Sequence, residues 1–304
     1  MVLQRPGDWP SKYPSGASSV IFSIIVPVYE QWDIVPCLLR AIEQQTLALD
    51  NIELILVDNG SRHPMDPAVL PPFVRMYRCA TPGSYAARNL GAGQARGQWL
   101  VFTDADCLPD RDWLAALQAA SRTECSCLLA GPVNIVATSE RPNWWEVYDM
   151  VRGIPQAHYV KRGYAATANL AVLKEVFNSL SGFDGRRYSG GDAEFCRRAG
   201  DRGFSMRFVE EAAVAHPARD TWEELSTKAR RVKGGQLTAG SLKRRTLWHF
   251  ATCLPPVRES LRLLRNRAFP LHYRFIAVAV QLRLWLVQVA EMLRLLGGRV
   301  PERR

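Results

Sequence analysis

Residues 98–106, QWLVFTDAD, join a short apolar run to two aspartates set two apart. The run over 98–102 is typical of a strand buried on both faces, and Asp104 and Asp106 follow where that strand ends. Two carboxylates this close form a compact anionic spot, which suits a hard divalent cation and, through it, a diphosphate. Short acidic triplets are also common in solvated loops, so the interpretation depends on the segments around this one.

The N-terminal half alternates strand and helix patterns. Strands are predicted over 20–28, 52–57, 74–79 and 98–102, and helices over about 33–46 and 85–95. Asp33 and Ser84 are the predicted N-caps of these two helices. This order implies right-handed crossovers and a mostly parallel α/β sheet.

Polar segments follow three of these strands, at 27–30, 58–61 and 103–106. In a mostly parallel sheet, ligands bind beyond the carboxyl ends of the strands. We therefore expect these three segments to converge at one edge of the sheet, which is a stronger signal than any one of them alone.

The later part of the chain is predicted to mix short strands, loops and helices. A pair of glycines before Asp192 opens a helix that runs through Ala199, and Asp220 caps a long helix that runs to about Thr238. Short strands are expected over 204–209 and 212–215.

Composition is that of a folded globular protein. The chain has 304 residues, 47% of them hydrophobic and 22% charged. Seven cysteines are scattered without a zinc-binding spacing, so we expect reduced thiols in a cytosolic protein. Residues 1–19 are polar and rich in Pro, Gly and Ser, so a flexible N-terminus without a signal peptide is expected.

The net charge of +10 is concentrated in residues 243–304, which hold 13 Lys or Arg against 3 Glu. Within this region, residues 270–296 are apolar with a narrow polar stripe. Their longest uncharged stretch, 275–282, is far short of the ~20 residues that a membrane span requires. The pattern favours a helix in the membrane interface, with Arg side chains meeting anionic lipid. A helix packed on the rest of the chain or on a second subunit is the alternative.

Four segments together resemble the family 2 glycosyltransferases. They are SIIVPVYE (23–30), LILVDNGS (54–61), PGSYAARNLGAGQARGQWLVFTDADC (82–107) and GGDAEFCRRAGDRGF (190–204). The resemblance spans about two thirds of the chain. A Rossmann dinucleotide fold would require G-x-G-x-x-G after the first strand, where PVYE stands instead.

The resemblance implies a GT-A fold, in which a Rossmann-like, nucleotide-binding, mostly parallel sheet is flanked by helices. It implies an inverting glycosyltransferase of the hexosyltransferase type that uses a nucleotide-sugar, for which a UDP-sugar is expected. In such proteins the Asp matching Asp58 binds the nucleoside base, and the Arg matching Arg88 lies beside base and ribose. The implied nucleotide-sugar site consists of Pro27, Val28, Tyr29, Glu30, Asp58, Arg88, Asp104, Ala105 and Asp106.

Within the acidic pair, the resemblance assigns Asp104 to the ribose side and Asp106 to a divalent metal, Mn²⁺ or Mg²⁺. His216 is a possible further metal or phosphate ligand. The alternatives are an Asx-turn for Asp58, a surface ion pair for Arg88 and a structural role for His216.

On the acceptor side, the resemblance makes Asp192 the general base. Asn169, Gly191 and Glu194 are the other implied acceptor-side residues. The alternative for Asp192 is a plain helix cap. A helix N-terminus would lower the pKa of Asp192, so a catalytic base at this position requires desolvation that offsets the lowering.

The predicted organisation is a catalytic domain over 20–240 and a basic helical extension over 241–304. The catalytic domain divides into a nucleotide-binding half (20–110) and an acceptor-binding half (111–240). The expected partners are the nucleotide-sugar, a saccharide or lipid-linked saccharide, the inner face of the cell membrane and, in one alternative, a second copy of the chain. No nucleic acid is expected, because the tail is Arg-rich and apolar. A nucleotidyltransferase with a similar sheet and metal site is the alternative function.

Overall fold

The computed structural model describes residues 20–122, 126–187, 189–238 and 241–301. The predicted flexible N-terminus, residues 1–19, lies outside them. The strands are β1 (Phe22–Val28), β2 (Ile52–Asp58), β3 (Val74–Arg78), β4 (Trp99–Thr103), β5 (Leu108–Pro109), β6 (Ser126–Ala130), β7 (Val133–Val136), β8 (Asn169–Leu173), β9 (Ser205–Phe208) and β10 (Val214–Pro217). The helices are α1 (Val35–Glu43), α2 (Ser84–Gln94), α3 (Trp113–Arg122), α4 (Trp144–Arg152), α5 (Gln156–Lys161), α6 (Lys174–Ser179), α7 (Gly191–Asp201), α8 (Trp222–Thr238), α9 (Leu242–Cys253), α10 (Val257–Arg265) and α11 (Leu271–Leu296).

The described residues form two compact units. The first consists of residues 20–132, 155–185 and 192–214, and the second of Val133–Ile154, Arg186–Gly191 and the chain from Ala215 onward. The predicted functional division at residue 240 stays a prediction.

A 7-stranded sheet in the order β3-β2-β1-β4-β8-β6-β9 is the centre of the first unit. β1 pairs in parallel with β2 and β4, β2 with β3, and β6 with β9, whereas β8 is antiparallel to β4 and β6. The mostly parallel sheet predicted from the sequence is therefore confirmed. The chain leaves β1 for β2 on one side and returns to β4 on the other, so a topological switch point lies between β1 and β4, where ligands bind in such sheets.

Helix starts differ from the sequence prediction. Asp33 does not cap α1, which begins at Val35 without a side-chain cap and carries Pro at its start, a position where the missing N–H costs nothing. Ser84 is the first residue of α2 rather than its cap. At α8 the cap is Thr221 and not Asp220, because the Thr221 Oγ1 accepts from the backbone N–H of Glu224 at 3.2 Å.

The core of the second unit is formed by α4, α8 and α11. Ala277, Val280 and Leu284 of α11 are buried against side chains of the other two helices. Gln281, on the same face, accepts a 2.8 Å hydrogen bond from the hydroxyl of Tyr148. The short uncharged stretch 275–282 by itself indicated no membrane span, but by length and composition the whole of α11 is the one helix in the described chain that could cross a membrane. Of its most apolar 18-residue window, 33% is buried.

Helix α2 lies close to the sheet because of Gly91. A Cβ at this position would be 2.6 Å from the Cγ2 of Ile25 and 3.1 Å from the Cγ2 of Val57. Two residues on, a Cβ at Gly93 would meet nothing within 4 Å. The close approach is therefore specific to one glycine of a helix that holds two.

We predict opposite effects for alanine at these two glycines. Gly91→Ala should destabilise the fold by about 1–3 kcal/mol, because the added methyl overpacks the β1–β2 surface. Gly93→Ala should stabilise it by about 0.5–1 kcal/mol, because alanine loses less backbone entropy in a helix. Urea unfolding followed by tryptophan fluorescence measures both, and equal effects of the two substitutions would contradict the packing argument.

Candidate active site

The predicted convergence of strand ends is confirmed within the first unit. Val28 at the end of β1 is in register with Asp58 at the end of β2, and the Asn59 N–H donates to the Val28 carbonyl at 2.8 Å. On the other side of β1, β4 pairs in parallel and ends immediately before Asp104. The polar residues after β1, β2 and β4 therefore share one edge of the sheet.

The corner after β1 is held in a strained conformation. Pro27 and Val28 belong to the strand, Tyr29 is partly exposed, and Glu30 has a φ of +54°. Positive φ in a non-glycine residue costs about 1–3 kcal/mol. The Glu30 N–H donates to the Ser61 Oγ at 3.0 Å, and this bond holds the corner against the end of β2. Strain of this kind is typical of ligand-binding corners.

Asp58 is fully buried and only partly satisfied. Its Oδ1 accepts from the Ser61 N–H at 3.0 Å, which is the turn role that the sequence allowed. Its Oδ2 has no hydrogen-bond donor among the described residues and lies 3.6 Å from the Nε of Arg78, an exposed side chain. A buried carboxylate oxygen without a donor is costly, so this atom suits an N–H of a bound ligand.

Asp104, Ala105 and Asp106 lie on a tight turn closed by a 3.1 Å hydrogen bond from the Cys107 N–H to the Asp104 carbonyl. Ligand atoms of Asp104, Asp106 and Cys107 all lie within 4.8 Å of one another. Burial, followed by the two carboxylates, raises the pKa of the Cys107 thiol, so it stays protonated and is a poor metal ligand. The carboxylates of Asp104 and Asp106 remain as metal-binding groups. Oxygen ligands suit Mg²⁺ or Mn²⁺ better than metals that prefer thiolate ligands.

Arg88 is 4% exposed and forms an ion pair with Asp104. It lies on α2, one turn after Tyr85, and its guanidinium is 5.8 Å from the centre of the Tyr85 ring. A surface ion pair was the alternative for this residue, and its burial excludes that alternative. Arg88 is part of the polar edge of the sheet.

Asp192 lies at the start of α7 and contacts the same helix α2. Its Oδ1 accepts from the Ala193 N–H at 2.8 Å and from the hydroxyl of Tyr85 at 3.2 Å. Desolvation raises the pKa of Asp192 above the usual aspartate range, against the lowering effects of the Ala193 N–H, Arg88 and Tyr85. A catalytic base at a helix start requires desolvation that offsets the lowering of its pKa by the helix, and Asp192 has this desolvation.

Tyr85 was missed by sequence reasoning. The available signal was its position three residues before Arg88, which places both side chains on one face of a helix. A second signal is structural. The ring centre of Phe183 lies 5.5 Å from that of Tyr85 on α2 and 4.9 Å from that of Phe195 on α7. One aromatic side chain therefore packs against both helices. This packing holds the Tyr85–Asp192 contact in place.

The acceptor-side residues implied by the resemblance have structural partners. Asn169 is buried; its amide donates to the carbonyls of Pro132 and Ala212 and accepts from the Trp113 indole. Glu194 forms an ion pair with Arg198 one turn along α7, at 2.6 Å. Their roles toward an acceptor, and that of Gly191 at the start of α7, stay predictions.

His216 lies within β10, in the second unit, and is buried. Its Nδ1 is 2.7 Å from the carbonyl oxygen of Pro217. A carbonyl oxygen only accepts, so Nδ1 is the donor of this hydrogen bond. The role of His216 as a further metal or phosphate ligand stays a prediction.

Comparison with known proteins identifies the family of this chain. Residues 23–180 match the model of "Glycosyl transferase family 2". The chain is 33% identical over 237 residues to glycosyltransferase AglE of Haloferax volcanii, covering 74% of this chain and 76% of that protein. The chain therefore belongs to glycosyltransferase family 2 and is a glycosyltransferase.

Solved structures of other glycosyltransferases share the fold. The mannosyltransferase PcManGT from Pyrobaculum calidifontis, in complex with GDP-Man and Mn²⁺, superposes with a TM-score of 0.60 at 15% identity, covering 95% of this chain and 91% of that one. S. aureus TarS 1–349, in complex with UDP-GlcNAc, gives 0.52 at 15% identity, covering 92% and 93%. The fold is therefore GT-A, with a C-terminal helix.

Proposed function

We propose that this chain is an inverting, metal-dependent glycosyltransferase of bacterial polysaccharide biosynthesis, of the exopolysaccharide or O-antigen type. It transfers a single sugar from a UDP-sugar to a saccharide or lipid-linked saccharide. The observation that carries the proposal is the desolvated Asp192 carboxylate, held by Tyr85 in the unit that also contains the Asp104–Asp106 turn.

On the donor side, the Oδ2 of Asp58, which is buried without a hydrogen-bond donor among the described residues, supports a nucleoside base with an N–H donor, such as uracil N3. Binding of UDP-GlcNAc by TarS supports the choice of a UDP-sugar. Asp106 would hold Mn²⁺ or Mg²⁺, with His216 as a further ligand, and Asp104 would lie on the ribose side. When bound, the metal supplies positive charge to the two phosphates of the departing diphosphate.

On the acceptor side, Asp192 takes the proton from the acceptor hydroxyl as its oxygen attacks the anomeric carbon. The bond from that carbon to the diphosphate oxygen breaks, and the nucleoside diphosphate leaves with the electron pair. Attack from the face opposite the leaving group inverts the anomeric carbon. The Tyr85 hydroxyl orients the carboxylate, and desolvation keeps it basic enough to accept the proton.

We expect Asp106→Ala to abolish metal-dependent binding of UDP. The substitution removes the carboxylate assigned to the metal, and the remaining Asp104, which pairs with Arg88, would hold a divalent ion weakly. Calorimetry of UDP binding with and without Mn²⁺ measures the effect, and Asp110→Ala, an exposed aspartate of the same segment, is the control. If the affinity of the Asp106 variant for UDP still depends on Mn²⁺, Asp106 is not a metal ligand.

Asp192→Asn should keep donor binding and lower turnover by roughly 10²–10⁴-fold, the usual contribution of a positioned base. The amide is isosteric and can still accept from Tyr85, so the fold should not change. Asp201→Asn, at the other end of α7, is the matched control. The assay is transfer from labelled UDP-sugars to a membrane lipid extract, and near-normal turnover of the Asp192 variant would remove it as the base.

The membrane part of the proposal is supported by the uncovered face of α11. Leu271, Phe275, Leu282, Leu286 and Leu293 are each 43–61% exposed and recur at spacings that keep them on one side of the helix. We call these five residues the α11 stripe. The opposite side packs on α4 and α8, so α11 has two apolar faces, of which the described residues bury only one.

Charge near the α11 stripe favours a lipid surface over a second copy of the chain. The preceding segment exposes Arg258, Arg262, Arg265 and Arg267, and Lys and Arg dominate the charge from residue 243 onward. Two such surfaces would repel each other, whereas anionic headgroups would attract both. We propose that the protein acts in the cytoplasm at the inner face of the membrane, where a lipid-linked acceptor would be found.

Replacing Phe275, Leu282 and Leu286 together by Ser should weaken binding to phosphatidylglycerol-containing vesicles by at least about tenfold. Each apolar CH₂ that enters the lipid contributes about 0.8 kcal/mol. Val69→Ser, at an exposed apolar residue of the first unit, is the control for vesicle sedimentation. Unchanged sedimentation would refute the membrane role, and a dimer that the triple variant dissociates in light scattering would make the α11 stripe a subunit interface instead.

A further inference from the structure

A short turn at the end of α6 contacts both α2 and α7 within the first unit. It consists of residues 180–183, and we call it the α6 turn. Ser181 has a φ of +58° and Gly182 a φ of +67°. Left-handed backbone in a non-glycine residue such as Ser181 persists only where surrounding contacts hold it. Helices α2 and α7 both supply contacts of this kind.

Asn89 of α2 binds the last residue of the α6 turn through two hydrogen bonds. Its amide donates to the Phe183 carbonyl at 2.7 Å, and its Oδ1 accepts from the Phe183 N–H at 2.9 Å. The approach is close, because a Cβ at Gly182 would lie 2.7 Å from the Asn89 Oδ1. An amide that donates to and accepts from the same residue fixes both the position and the orientation of that residue's backbone.

Arg198 of α7 binds the same turn from the other helix. Its Nη1 donates to the Leu180 carbonyl, and its Nη2 donates to the Gly182 carbonyl at 2.8 Å. Glu194, one turn earlier on α7, orients the guanidinium by accepting from Nε at 2.6 Å and from Nη2 at 3.2 Å. A planar guanidinium suits this set of bonds, because its N–H groups point in fixed directions.

On α2, these contacts continue to Tyr85. Asn89 follows Tyr85 by four residues, so both side chains lie on one face of the helix. The ring of Phe183, whose backbone Asn89 holds, lies 5.5 Å from the Tyr85 ring between centres. The position of the Tyr85 ring, and with it the hydroxyl, therefore depends on the bonds between Asn89 and Phe183.

On α7, the contacts continue to Asp192. Asp192, Phe195 and Arg198 follow one another by three residues along one side of the helix. The Phe195 ring lies 4.9 Å from that of Phe183, and the Arg198 guanidinium lies 5.5 Å from the centre of the Phe195 ring. The α6 turn thus contacts the helix that carries the carboxylate as well as the helix that carries its hydroxyl partner.

We propose that Asn89 and Arg198 are positioning residues for the base. Through the α6 turn they hold α2 and α7 at the separation at which the Tyr85 hydroxyl donates to Asp192. The inference rests on the proposed function, because it assumes that Asp192 takes the proton of the acceptor. Glu194 contributes by orienting Arg198.

Asn89→Ala should lower turnover about ten- to a hundredfold, because small displacements of a catalytic group are costly. Its affinity for UDP with Mn²⁺ should stay within about twofold, since α2 remains packed on the sheet through Gly91. Arg198→Lys keeps the charge but offers one nitrogen for two carbonyls. It should also lower turnover, and it guards against misfolding of the first variant.

The matched control is Arg202→Lys. Arg202 is exposed and donates to the Ser179 carbonyl at 2.9 Å, just before the α6 turn, so its replacement should leave turnover unchanged. The assay is transfer from labelled UDP-sugars to a membrane lipid extract, with each variant kept below the onset of its thermal unfolding. Wild-type turnover in both Asn89→Ala and Arg198→Lys would overturn the proposal.

The pH profile separates positioning from a structural role. The Tyr85 hydrogen bond lowers the pKa of Asp192, so its loss should raise that pKa. The acid limb of kcat/KM should therefore move to higher pH in Asn89→Ala. The other groups that act on Asp192 are unaltered in this variant; they are the Ala193 and Thr167 N–H groups, Arg88, Tyr164 and Cys196. A lower Tm with an unmoved acid limb would make the contact purely structural and refute the role.

A double-mutant cycle tests whether Asn89 acts through Tyr85. In a Tyr85→Phe background, Asn89→Ala should lower turnover by less than about threefold, because the hydrogen bond that it positions is already lost. Independent effects of the two substitutions would contradict the proposal. Asp192→Asn distinguishes the possible failures. Near-normal turnover of that variant would overturn both the proposed base and this inference. If Asp192→Asn loses turnover while Asn89→Ala and Arg198→Lys do not, the inference alone is wrong.

Discussion

The buried guanidinium of Arg88 is the constraint on which the polar edge of the sheet depends. It pairs with Asp104 and lowers the pKa of Asp192, while Tyr85, one turn before it, donates to Asp192. Without Arg88, the desolvated Asp192 carboxylate would lack the nearby positive charge that favours its ionised form, which is costly. One cation on α2 thus links the end of β4 to the start of α7.

The position of Arg88 is set by packing rather than by its own contacts. Helix α2 approaches β1 and β2 closely because Gly91 has no side chain to hold it away. Phe183 then packs against Tyr85 of α2 and Phe195 of α7, so the two helices are fastened to a common aromatic side chain. Rigid elements of this kind place reactive groups more accurately than loops do.

The strands and their polar ends were predictable because they are local patterns. The buried runs before Asp58 and Asp104 have the length and β-branched content of parallel strands, and both pair in parallel with β1. Helix caps were less predictable: Asp33 and Ser84 do not cap, and Thr221 replaces Asp220. Helices α1 and α2 begin without a side-chain cap, and Thr221 caps α8, because the tertiary path of the chain decides which polar side chain can reach the first backbone N–H groups.

The sequence by itself determined the alternation of strands and helices, the acidic turn at 104–106 and the basic C-terminal region, because these depend only on neighbouring residues. Tertiary structure alone decided that the pKa of Asp192 is raised, since desolvation arises from distant parts of the chain. It also decided which face of α11 is buried against α4 and α8. Because α11 is apolar on two sides, its sequence does not specify which of them packs on the other helices.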